Sequence, residues 1–487
     1  MNDQFRVFPA FIVLGITLSI WFVIPIPKGV TPEAWHLLAL FIGTIAAIIA
    51  KVMPIGAIAI ISIMLVALTG VTNPDPKLAI KDALSGFSSP LIWLIGIAIL
   101  ISRSLAKTGL GARIGYYFIS LFGKKTIGIS YSLAISELVI APVTPSNTAR
   151  GGGIIHPIMR SIASSFNSSK ENNSEKKIAK YLALSSYHMN PITSAMFITA
   201  TAPNPLVVKF VADATGLALS ITWAQWALAM LLPGLVCIAL TPLVVYALYP
   251  PEIKHTPDAP LFAKEKLNVM GKMSKNEKIT IGVFGLLLFL WAGVPSMIFG
   301  SEFVLHATTV AMVGLSILLV TNVLTWEDVL NEKSAWDTVT WFAALVMMAT
   351  YLNKLGLIKW FSDLIESNIL NLGVGWELSV AVLVLVYFYA HYFFASTTAH
   401  ITAMFGAFYT AGLSLGAPPM FLALMLAGAS SLMMSLTHYA TGTSPIVFGS
   451  GYVTLKEWWK MGFVLSVVNL AIWTLLGGTW WSVLGYW

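Results

Sequence analysis

About eleven apolar runs, each near the ~20 residues that cross a bilayer core as a helix, fill most of this chain. They fall at residues 8–26, 33–50, 54–72, 90–106, 181–200, 222–249, 279–299, 303–323, 338–353, 420–436 and 461–485. In hydrocarbon a backbone must satisfy its own N–H and C=O groups, so runs of this length predict membrane-spanning helices. Composition agrees: 57% of residues are hydrophobic and 10% charged, against roughly 25% charged in a soluble domain. Mean hydropathy is +0.81. The first run is long, lacks a small-residue cleavage site and leads into further spans, so it reads as a retained helix rather than a signal peptide.

The net charge of +7 is distributed unevenly. With Arg6 cytoplasmic and the spans alternating, Lys51, Arg103, Lys107, Arg113, Lys124, Lys125 and the lysines of 164–180 and 250–278 fall inside. The outer side holds only Lys28, Lys77, Lys81, Lys209, Lys354 and Lys359. This is the positive-inside bias of a multi-pass protein with a cytoplasmic N-terminus, and it calls for no nucleic-acid partner. A lone Cys237 within a span excludes a disulfide framework, thiolate metal sites and Cys-pair redox chemistry. With no targeting peptide visible, a bacterial cytoplasmic membrane is the expected location.

A Lys-rich cytoplasmic linker, 251–278, divides an N-terminal half (1–250) from a C-terminal half (279–487), and the halves share an order of features. Ser85-Gly86-Phe87 through Trp93 to Lys107-Thr108-Gly109-Leu110 parallels Ser334-Ala335-Trp336 through Trp341 to Lys354-Leu355-Gly356-Leu357. Each block leads through an amphipathic stretch to a long apolar segment, about 128–163 and about 378–413, interrupted at its centre by a polar island. The islands are Ser146-Asn147-Thr148-Ala149-Arg150 and Ser396-Thr397-Thr398-Ala399-His400. Proline-containing breaks follow, at Thr199–Pro205 within about 181–213 and at Thr441–Pro445 within about 420–450. The flanking loops place the first hairpin inside and the second outside. The expectation is two inverted repeats with re-entrant hairpins, scaffold helices at about 8–72, and a site near the membrane midplane.

At each island Ser-Asn-Thr or Ser-Thr-Thr suits the N-cap of the second hairpin arm. Two helix ends with free N–H groups would then face the midplane, a ready anion site. The candidate substrate-binding residues are Ser146, Asn147, Thr148, Ser396, Thr397, Thr398, Thr201, Pro203, Thr443, Ser444 and Pro445. A charge at membrane depth costs about 2.5–3.5 kcal/mol and is rarely kept without a role, which singles out Arg150 and His400. Glu137 is the acid that could pair with Arg150, and Arg160 can snorkel to the cytoplasmic face. His156, His188, His391 and His438 read as structural. No catalytic set, metal-binding spacing, phosphate loop or cofactor fingerprint is present, so no enzyme activity, metal or cofactor is expected.

These islands and breaks resemble those of the divalent anion/sodium symporter (DASS) family of di- and tricarboxylate transporters. Ser146-Asn147-Thr148 matches the family's tip motif, whereas Ser396-Thr397-Thr398 carries Thr397 in place of the usual Asn. The Ser-Asn-Thr-Ala-Arg-Gly-Gly-Gly string at 146–153 is most similar to the exchanger branch, with bacterial citrate/succinate antiporters and chloroplast 2-oxoglutarate/malate translocators. The resemblance implies a homodimer whose transport part moves like an elevator against a scaffold. A sodium ion beside a tip would be repelled by Arg150 or by protonated His400. The expected function is sodium-independent exchange of 2-oxoglutarate, malate, succinate, fumarate or citrate, with Arg150 and His400 replacing coupling cations. The alternatives are a sodium- or proton-coupled symporter, a sulfate carrier and, last, a membrane enzyme.

Overall fold

The computed structural model describes residues 5–369 and 375–487, and among these the chain is helical with no strand. Residues 1–4 and 370–374, which belong to the expected halves, lie outside the described residues. Among the described residues, six helices can by length and composition cross a membrane: Pro32–Ile49, Pro90–Thr108, Thr126–Val143, Trp223–Leu248, Trp376–Phe393 and Leu455–Val483. Shorter apolar helices run at Val7–Val23, Ile55–Thr69, Ala307–Val320 and Pro419–Ser435. The expected runs at 181–200, 279–299 and 338–353 are also helical (Ala179–Met196, Lys275–Trp291, Lys333–Lys354) but more polar. Ala179–Met196 shows why: every residue in it is buried, so its Ser185, Ser186, His188, Asn190, Thr193 and Ser194 face protein instead of lipid.

Local chemistry sets the helix ends. Thr222 with Gln225, Ser274 with Glu277, and Thr454 with Glu457 form reciprocal capping boxes. Gly70 and Gly109 close their helices at φ 63° and 79°, where a side chain would be strained. The linker is more ordered than its polarity suggested. Asp258–Met270 is a helix, Phe262 meets the Tyr116 ring edge-on, and Thr256 Oγ1 donates to the Gly123 carbonyl at 2.7 Å.

Both apolar segments with central islands form helix–break–helix hairpins. The first has arms Thr126–Ile140 and Thr148–Ser165, the second Trp376–Tyr389 and Thr397–Ser414. The helices that follow are interrupted between Met196 and Asn204 and between Leu432 and Thr443. The two parallel sequence blocks become the helices Pro90–Thr108 and Lys333–Lys354, tied at one end by ions. Arg103 reaches Glu332 at 3.0 Å and Asp328 at 3.4 Å, and Lys107 reaches Asp328 at 2.5 Å. Partial burial opposes ionisation of Asp328, but the Lys107 and Thr325 hydrogen bonds win and hold its carboxyl well below the usual range. A depressed carboxyl stabilises the fold above the unfolded-state value of about 3.9 and loses that contribution only in strong acid. Asp328→Asn should therefore cost about 1 kcal/mol, constant through neutral pH, because the pair is near the surface. Thermal unfolding in detergent across pH checks this.

Candidate functional site

Each hairpin turns at a serine that caps its second arm. Ser146 Oγ accepts from the Ala149 amide at 3.1 Å, and Ser396 Oγ accepts from the Ala399 amide at 3.3 Å. Both second arms contain a wide π-helical stretch, Thr148–Ile155 and Ile401–Phe405, a geometry frequent at functional sites.

The two tips meet at one cavity of about 190 Å³, lined by Ser146, Asn147, Thr148, Ser396, Thr397 and Thr398. At ~30 Å³ per water this is the space of about six waters, right for a small acid and too small for a drug-sized ligand. Thr201 and Pro203 from one break and Thr441 and Gly442 from the other complete its polar wall. Among the described residues, no charged side chain lines it. The hydroxyls of Thr148, Thr201 and Thr398 have no hydrogen-bond partner among the described residues, so they are free to bond a ligand. A larger cavity of about 380 Å³, beside Trp35, Phe210 and Trp360, is almost wholly apolar and would strand an anion without hydrogen bonds.

Arg150 lies behind the first tip, fully buried and outside the cavity wall. Its Nη1 donates to the carbonyls of Thr144 (2.9 Å) and Ala200 (2.8 Å), and its Nη2 donates to Ser194 (2.8 Å) and Thr193 (3.4 Å). Its Nε meets Glu137 at 3.2 Å. Of the two roles the sequence leaves open for Arg150, the ion pair with Glu137 is therefore present, and the guanidinium is not a bare charge. All five partners are oxygens, the donor set that a hard cation takes. Asn190 holds the same carboxylate at 2.5 Å and also donates to the Asn147 carbonyl at 3.1 Å.

His400 occupies the matching place behind the second tip, also fully buried. Its Nδ1 is 3.0 Å from His391 Nδ1, and His391 Nε2 is 3.0 Å from the Ala440 carbonyl. The two halves correspond at several positions. Ala200 and Ala440 each directly precede the threonine of a break, Thr201 or Thr441. Glu137 precedes Arg150 by the same interval as Tyr387 precedes His400, and the Tyr387 ring lies 4.7 Å from His400. Asn190, which holds Glu137, corresponds to Ser430, which bonds the Tyr387 hydroxyl at 2.7 Å.

Of the sequence candidates, eight line the cavity: Ser146, Asn147, Thr148, Ser396, Thr397, Thr398, Thr201 and Pro203. Thr443, Ser444 and Pro445 do not. Thr443 bonds Asn190 at 3.4 Å, Ser444 bonds the Tyr187 hydroxyl at 2.6 Å, and Pro445 is exposed away from the wall. Asn147 is also engaged, donating to Thr441 Oγ1 at 2.9 Å and Asn190 at 3.2 Å. Sequence reasoning missed Ser334 and Thr338, which bring the facing helix to the cavity. Their signal is two hydroxyls one turn apart in the first turns of the helix Lys333–Lys354. It also left His391 among structural histidines.

The family model for the sodium:sulfate symporter transmembrane region matches residues 4–487. The chain is 50% identical to a Bacillus subtilis (strain 168) protein named "Putative malate transporter YflS", over 99% of this chain and 97% of that one. It is 45% identical to the chloroplastic dicarboxylate transporter 1 of Arabidopsis thaliana, over 96% of this chain and 82% of that one. It is 34% identical to the citrate/succinate antiporter of Escherichia coli (strain K12), over 97% of each. Among solved structures, the YdaH transporter of Alcanivorax borkumensis shares the fold, with TM-score 0.58, 13% identity, and coverage of 84% of this chain and 90% of that one.

Proposed function

This chain belongs to the sodium:sulfate symporter family, a family of membrane transporters and not of enzymes, and we propose that it is a sodium-independent dicarboxylate exchanger. The observation that carries the reading is Arg150, whose guanidinium fills a buried nest of oxygens directly behind the first tip. A side chain there takes the place of a coupling cation but cannot dissociate with the cargo, so a sodium gradient has nothing to act on. Relatives named for dicarboxylate transport and for citrate/succinate antiport favour the same cargo class.

The dicarboxylate lies between the two tips, one carboxylate at each helix start. Amides and the hydroxyls of Ser146, Thr148, Ser396 and Thr398 bind it, joined by Thr201. Each helix end carries about half a positive charge. Because Glu137 balances Arg150, these partial charges, with His400 when it is protonated, are what an empty site would carry unpaired through an apolar barrier. Cargo removes that cost, so movement in both directions is loaded movement. We place the site between two inverted repeats, 1–250 and 279–487, each with one re-entrant hairpin, in about eleven spans of an elevator-type homodimer.

In proteoliposomes, labelled 2-oxoglutarate or malate should enter only when unlabelled dicarboxylate is inside, at the same rate in sodium and in choline. Sodium-driven uptake into empty vesicles would overturn the exchange reading. Sulfate displacing dicarboxylate as the better cargo would overturn the substrate class.

A further inference from the structure

We propose that His391 is a positioning residue of the second tip, orienting His400 so that one nitrogen, His400 Nε2, is left to take a proton. This deepens the preceding reading and rests on it. The second half of the site would then gain and lose one positive charge, while the first keeps its Arg150–Glu137 pair.

The hydrogen-bond chain fixes the tautomers. The Ala440 carbonyl can only accept, so His391 Nε2 carries the hydrogen of the 3.0 Å contact. In a neutral ring His391 Nδ1 is then an acceptor, and the 3.0 Å contact between the two Nδ1 atoms requires His400 Nδ1–H to donate to it. His400 Nε2 is left with a lone pair, buried and with no hydrogen-bond donor among the described residues. Both nitrogens of His391 are engaged, so His400 Nε2 is the position in the pair open to a further proton. The imidazolium formed there would sit against an aromatic ring. Phe394 stacks on the His400 ring at 4.6 Å, and an aromatic face favours a cation.

Comparison of the halves explains why a second histidine is needed. Arg150 alone spans from the second hairpin arm to the Ala200 carbonyl at the break. A histidine at the matching position is too short, and His391 bridges the gap to Ala440. Thr397 Oγ1 donates to the same carbonyl at 3.3 Å, so cavity wall, break and histidine pair share one acceptor.

The surrounding groups do not supply a competing charge. Among the described residues, the titratable groups in contact with His400 are His391 and Tyr387, whose hydroxyl is bonded to Ser430. The helix Pro32–Ile49 packs on the same short turn and carries Glu33, exposed in its first turn, and His36, stacked on Trp21 at 4.2 Å. The helix Asn204–Ala214 also packs here, and its Lys209 and Asp213 are paired to each other.

The test is the pH profile of exchange in proteoliposomes with equal pH on both sides, using a dicarboxylate that stays doubly ionised throughout. For the wild type, KM should fall as pH is lowered, by up to about tenfold per pH unit, the limit for one linked proton. His391→Asn places an acceptor where Nδ1 was and should keep that slope. His391→Gln places a donor where Nε2 was, keeps the tie to Ala440 and should lose the slope. A flat wild-type profile, or a His391→Gln profile with the wild-type slope, overturns the proposal. The reverse pattern, with the slope lost in His391→Asn and kept in His391→Gln, overturns it equally and makes His391 a plain structural tie. Exchange that is absent at every pH in the wild type would sink the proposed function itself, and this inference with it.

Discussion

Arg150→Met and Glu137→Gln, made singly, should each destabilise the protein by about 3–5 kcal/mol, the cost of leaving one member of a buried ion pair without its partner. Both side chains are fully buried, and their separation is 3.2 Å. The double variant should recover most of that stability, because removing both charges also removes their desolvation. Exchange should remain lost in all three. Nothing uncharged of similar shape makes the four hydrogen bonds by which Arg150 ties Thr144 and Ala200 to Thr193 and Ser194 behind the first tip. Thermal unfolding in detergent, paired with counterflow in proteoliposomes, separates the two effects. A double variant that exchanges at the wild-type rate would reduce Arg150 to a packing element.

That separation between fold and function also explains what the sequence could show. Polar islands in apolar runs and proline breaks are cheap to recognise, because each violates a membrane rule at one point in the chain. The structure interrupts both apolar segments and the helices after Met196 and Leu432, and Ser146 and Ser396 cap the second arms. Side-chain direction is not written locally. Asn147 lines the cavity while its amide nitrogen is bonded to Thr441 and Asn190, and Ser444 is spent on Tyr187. Ser334 and Thr338 reach the cavity from a helix assigned no binding role. His391 differs from an ordinary core histidine only through its partners, His400 and Ala440. Most of these pairings join residues far apart in the chain, so no local pattern marks them. The linker helix Asp258–Met270 was hidden for the opposite reason: its polar composition concealed a face that packs on Tyr116.

If Arg150 stands where a coupling cation would, then removing it should create a cation site. Arg150→Ala leaves the Thr144 and Ala200 carbonyls, the Ser194 and Thr193 hydroxyls and the Glu137 carboxylate around one vacated volume. That set is all oxygen and carries one negative charge that the truncation has unpaired. A monovalent hard cation satisfies both conditions, and a choline ion is too large to enter. The Arg150→Ala protein should unfold at a higher temperature in sodium chloride than in equimolar choline chloride, while the wild type should show no difference. Binding to the folded state alone would add about 2.7 kcal/mol at a sodium concentration one hundred times Kd, which offsets much of the lost ion pair. Exchange need not return, because sodium would leave the nest as freely as it enters. The variant's uptake should instead begin to depend on sodium. Equal stability in the two salts would mean that the oxygens around Arg150 serve the arginine alone, and the cation-replacement reading would fall.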